Sequence, residues 1–137
     1  MAYAGDYSAS AGSYNVGKKI LDGSVTLIRY FSCATHNLTG SGVYKLFAVP
    51  ANFVLLEARV ICDTIEGGTA TIDIVDNDSS STVFVNDFSL ETANAIGVTA
   101  ARKKYAAAGF ICVVPNEDLD TAVFTVTVKG IITNTSM

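Results

Sequence analysis

The chain contains no tryptophan, two prolines, one histidine and three cysteines. It also has no apolar run near the ~20 residues that a membrane-spanning helix requires. Its longest apolar stretches, around residues 53–65 and 110–114, are broken by Glu57, Arg59, Asp63 and Pro115. A membrane partner is therefore not expected. The opening MAYAGDYSASAGSYNVGKK has no basic start followed by an apolar core, so it does not read as a secretory signal. Basic clusters are equally scarce. Arg102, Lys103 and Lys104 form the single one, the formal charge is −4, and the pI is about 4.7. Neutralising phosphates takes clustered Lys and Arg, so a nucleic-acid partner is not expected.

The scarcity of His and Cys limits the chemistry. His36 lies in the turn-rich CATHNLTGSG segment with no Cys, Asp or second His at ligand spacing. Hydrolysis needs a paired nucleophile and base or two opposed carboxylates, and no such set is recognisable. The reading is a protein that is not an enzyme and carries no cofactor or metal. Cys33, Cys62 and Cys112 form no CxxC and leave one thiol over in any disulfide scheme. They read as small buried hydrophobes of a protein made in a reducing compartment, with a Cys62–Cys112 bridge as the alternative. The missing tryptophan also counts against a glycan-binding surface.

What the chain does have is apolar, strand-forming sequence. Half of its 137 residues are hydrophobic and only 16% are charged, with a mean hydropathy of +0.38. This excludes a disordered chain and is more apolar surface than a lone domain needs. The surplus is expected to face other protein chains.

Residues 1–22 stand apart, rich in Ala, Gly and Ser, with Tyr3, Tyr7 and Tyr14 and no helix or strand period. They read as an extended N-terminal arm anchored through its tyrosines on a neighbouring subunit. Residues 23–137 read as one β-sandwich domain, organised around residues 43–78. There a strand ends at Pro50 and a long strand follows from Phe53. Its even positions, Val54, Leu56, Ala58, Val60 and Cys62, are apolar, while Glu57, Arg59 and Asp63 lie on the other parity. Glu66-Gly67-Gly68 suits a hairpin turn. A strand with Ala70, Ile72 and Ile74 on one face follows.

Asp73, Asp76 and Asp78 crowd the end of that strand. They could make a calcium loop, but the EF-hand spacing is missing and solvated Asx turns need no ion. After a short strand at 82–85, residues 86–104 read as a long surface excursion. Strands near 110–114 and 121–133 close the domain, the last with Ala122, Phe124, Val126 and Val128 on one face.

Seven or eight strands with turn signals between them and no helical period indicate an all-β, antiparallel sandwich or barrel. Residues 24–31 carry Val25, Leu27 and Phe31 on one parity and Ile28 and Tyr30 on the other. Residues 43–49 carry Phe47 and Val49 against Tyr44 and Leu46. Two apolar faces on one strand imply a subunit interface. The interface candidates are Tyr3, Tyr7, Tyr14, Tyr30, Tyr44 and Phe47.

The run YKLFAVPANFVLLEARVICDTIEGGTATIDIVDND, followed by ANAIG, YAAAG and a terminal Thr/Val strand, resembles small virion structural proteins of tailed bacteriophages. These are proteins of the capsid decoration (cement) or head-fibre type. The resemblance spans roughly residues 43–130 and rests on turn and strand patterns. Val75 departs from it, standing where glycine would precede the Asp-rich turn. The resemblance implies a jelly-roll-like sandwich, often a homotrimer. It further implies a chain bound to the major capsid protein on the outer surface of the virion and assembled in the host cytoplasm. A head-fibre or tail-associated module holding a host-surface glycan is the alternative it leaves open.

Overall fold

The computed structural model describes residues 3–8, 24–76, 82–99 and 102–133. Ten strands are β1 (Gly5–Asp6), β2 (Ser24–Ser32), β3 (Tyr44–Val49), β4 (Phe53–Thr64), β5 (Thr71–Asp76), β6 (Val83–Ser89), β7 (Ile96–Thr99), β8 (Lys103–Tyr105), β9 (Gly109–Pro115) and β10 (Val123–Ile132). They form two sheets. The front sheet runs β1-β3-β9-β5-β6 and the back sheet β2-β10-β4-β7, with β8 also paired to β4. All pairings are antiparallel except β1 with β3. The protein is an all-β sandwich.

Consecutive strands mostly change sheet. The Pro50-Ala51-Asn52 turn takes the chain from β3 in front to β4 behind, with Asn52 at φ 68°. Gly67 and Gly68 do adopt positive φ, 93° and 65°, a backbone that glycine adopts without strain. The turn they make is not a hairpin, because β4 and β5 belong to opposite sheets.

β10 follows its alternation. Phe124, Val126 and Val128 are buried, and Val123, Thr125 and Thr127 lie on the outer side. β4 does not alternate throughout. Its pairing with β10 slips between Lys129 and Gly130, so that Glu57 faces Lys129 while Leu55 faces Gly130. The extra residue, Leu56, is a β-bulge that reverses the parity. Phe53 and Leu55 therefore join Ala58, Val60 and Cys62 in the core, while Val54 and Leu56 are only partly buried. Val75, where glycine was expected, continues β5 as an ordinary strand residue paired with Val83 and Cys112.

The segment read as a surface excursion is largely strand. β6 runs on to Ser89, and β7 and β8 both add to β4. All three cysteines are free, which disposes of a Cys62–Cys112 bridge. Cys62 points into the core from the back sheet. Cys112 shares the row of Lys45 and Val75 on the front sheet.

Candidate interaction surfaces

The six interface candidates do not form one surface. Tyr44 and Phe47 are core residues, 4% and 1% exposed. A register shift between Lys45 and Phe47 makes Leu46 a bulge, and Tyr44, Leu46, Phe47 and Val49 are all buried by their own chain. The second apolar face expected of this strand is thus turned inward.

Tyr3 and Tyr7 anchor residues 3–8, but to their own body. Tyr7 packs edge-on to Phe31 at 5.0 Å and also contacts His36 and Tyr44. Tyr3 meets Phe110 at 6.0 Å, and the Lys45 ammonium sits 4.3 Å from the Tyr3 ring and 3.8 Å from that of Phe110. Asp6 reaches Lys45 at 3.7 Å. Ser8 donates two hydrogen bonds to the Asp6 carboxylate and holds its pKa below the usual range. Tyr14 lies outside the described residues.

Tyr30 is different: it is 65% exposed. It stands on the outer side of the back sheet in a row running Tyr30, Thr125, Ile61, Ile96 across the four strands. The adjacent row runs Ile28, Thr127, Arg59, Val98. Ile28, Ile96 and Val98 are 50%, 59% and 52% exposed. Four large apolar side chains therefore face outward on two margins of one sheet. Apart from exposed Lys104, opposite Val54, charges on this side are matched within the chain. Glu57 pairs with Arg59 at 3.7 Å and Lys129 at 3.9 Å, and Asp63 accepts from Thr125 at 2.7 Å. The Ile28 and Tyr30 half was legible as the second parity of its strand. The Ile96 and Val98 half was not, because a four-residue strand carries too short a pattern.

A groove of about 620 Å³ runs between the edge strands β6 and β7, with Asn86, Asp87, Ser89 and Thr92 among its polar lining. Phe84 and Phe88 border it but are 2% and 9% exposed, so neither offers an open ring face.

The acidic residues at one end of the sandwich act as caps for the backbone. Glu66 accepts from the amides of Asp120, Thr121 and Ala122. Asp118 accepts from Gly40, and Glu117 from the Thr69 hydroxyl. Asp73 accepts from the Asp87 amide at 2.7 Å. Asp76 is fully buried and pairs with Lys103 at 3.0 Å, joining β5 of the front sheet to β8. Asp73 and Asp76 are thus engaged separately, and no group of three or more His, Cys, Asp or Glu that could hold a metal occurs among the described residues. Asn77 and Asp78 lie outside them.

Buried Arg29 escaped the sequence reading because it shares the parity of Val25, Leu27 and Phe31. Burial lowers its pKa, and its guanidinium lies 5.7 Å from the Phe31 ring. Burial likewise pushes the Cys33 and Cys112 thiols up to about 12, which keeps them protonated and unreactive.

No protein-family model matches the sequence, and no curated protein is similar to it. Solved structures are similar in fold. A chain in the capsid of Ralstonia phage GP4 superposes with a TM-score of 0.54 at 16% identity, covering 98% of this chain and 100% of that one. A chain of the cyanophage Pam1 capsid asymmetric unit gives 0.52 at 18% identity, covering 92% and 96%. One in the acid-stable capsid of Helicobacter pylori bacteriophage KHP30 gives 0.52 at 13%, covering 79% and 86%. The shared property is the two-sheet β fold over most of each chain.

Proposed function

We propose that the chain is a bacteriophage virion structural protein. In this reading it is a capsid decoration (cement) protein that binds the outside of the shell as a homotrimer and stabilises it. The observation that carries the reading is the extent of the fold likeness. It spans nearly whole chains of about this length within phage capsids. The strand order supports the jelly-roll form of the sandwich. With the short β1 and β8 set aside, the strands run first-eighth-third-sixth behind and second-seventh-fourth-fifth in front, the order of two interleaved Greek keys. The acidic charge supports the outer side of the shell, away from nucleic acid. The function is binding without catalysis. A protein that binds only the assembled shell stabilises it by mass action.

The test adds purified protein to shells that lack it. Co-sedimentation and a rise in the shell's disruption temperature are expected. Absence of both, with folded protein, rejects the proposal. The groove between β6 and β7, with Asn86, Asp87, Ser89 and Thr92 in its lining, favours a second reading, a head-fibre or tail-associated module holding a host glycan. Calorimetric titration with host-surface glycans that gives no heat would remove it.

A further inference from the structure

We propose that the outer side of the back sheet is where copies of this chain meet each other, the β2 margin of one copy against the β7 margin of the next. This rests on the oligomeric reading above and names its contact surface. Level matters first. Cross-strand pairing puts Tyr30 in the row of Ile96 and Ile28 in the row of Val98. A rotation axis running roughly along β10 and β4 therefore brings the two apolar margins of successive copies together at the same height. Such a contact joins different patches of one surface and closes into a ring. Three copies give the trimer.

Charge and size favour a second copy as the occupant. Glu57, Arg59, Asp63 and Lys129 on this side sum to zero and are bonded within the chain, and exposed Lys104, opposite Val54, adds one positive charge. Two copies can thus approach here without strong repulsion, although each carries −4 overall. The ten residues of β10 extend about 33 Å and four strands span about 19 Å. In a ring that face is divided between the two contacts each copy makes, so the two together bury roughly 600 Å² per copy, approaching the about 800 Å² per partner of a standard interface. The front sheet presents Ala48, Val83, Asn86 and Asp87 outward, with Val83 its one exposed large apolar side chain among the described residues against four on the back sheet.

The experiment uses the full chain. Light scattering after size exclusion is expected to show a trimer that falls to folded monomer in Ile28→Asp and in Val98→Asp. Ala48→Asp, on the front sheet, is expected to stay trimeric, and circular dichroism and melting confirm folding of all three. If either margin variant fails to fold, single cysteines replace it. Co-expressed Ile28→Cys and Val98→Cys copies are expected to cross-link under oxidised glutathione, while neither variant does so alone. A monomeric wild type, folded margin variants that remain trimeric, or cross-linking by Ile28→Cys alone overturns the proposal. So do margin variants that keep their oligomeric state but no longer bind shells, since the face would then belong to the coat. A wild-type trimer of this geometry that ignores shells sinks the decoration reading and leaves this contact standing.

Discussion

Gly130 carries a constraint that its place in a regular strand hides. It sits at the bulge opposite Leu55, and the Phe53 ring lies over it. A Cβ there would stand 2.6 Å from Phe53 Cζ and would also meet the Val54 carbonyl. Backbone cannot yield as a flexible side chain can, so Gly130→Ala is expected to cost about 2 kcal/mol, read from the urea midpoint. The Asp76–Lys103 pair makes a second test. Asp76 is fully buried, so Lys103→Met removes the ion-pair partner of a buried carboxylate and is expected to cost about 3 kcal/mol. Asp76→Leu with Lys103→Met removes both charges and should recover most of that loss, which a double-mutant cycle measures. The thiols supply a pH dependence. Cys33 and Cys112 rise from 9.0 to about 12 on folding. Between those values the unfolded chain has released protons that the folded chain retains, so stability falls as pH rises. The slope per thiol is about 1.4 kcal/mol per pH unit, and stability is unaffected by these groups below pH 9. Denaturant titrations from pH 8 to 11 should show the decline, and Cys33→Ala should lessen it by one thiol's share.

At the scale of elements, legibility followed strand length and regularity. β10 could be read because its own residues alternate from Val123 to Ile131, the register shifts in its pairing with β4 falling on the β4 side. β4 could be read only in part. Its composition announces a half-buried strand, but nothing in it marks Leu56 as the residue that goes unpaired, so parity failed for the first half. The same failure at Leu46 sent Tyr44 and Phe47 to an interface when they belong to the core. β7 and β8 were missed because short strands exist through pairing with β4, a long-range contact with no local pattern. The arm was half legible: Tyr3 and Tyr7 are anchors, but within residues 3–8 the anchorage is the chain's own β2, β3 and β9. Tyr7 closes the edge between β2 and β3 by covering Phe31 and Tyr44. Tyr7→Ala is therefore expected to lower stability by about 2 kcal/mol. The sheet content in far-ultraviolet circular dichroism should not change.

For the whole molecule, the proposed decoration role makes the decisive quantity the number of shell contacts that one particle would make at once. Core and surface divide the work unevenly. The core fixes two sheets by burying both parities of β3 and one of β2, and this leaves the other parity of β2, with β7, as apolar surface that a lone chain exposes to water. If the proposed decoration role and trimer hold, covering that surface by self-association would join three weak shell-binding sites into one ligand. Linked sites raise net affinity by about 10² to 10⁴ without any new contact. A monomeric variant such as Val98→Asp keeps each shell contact but loses the linkage. It is expected to bind shells more weakly by that factor, and to approach wild-type occupancy only at correspondingly higher concentration. Titrating both proteins onto the same shells and reading occupancy by gel densitometry measures the ratio. Equal affinities would mean that each copy binds alone, and the exposed margins of the back sheet would then have no part in holding the shell together.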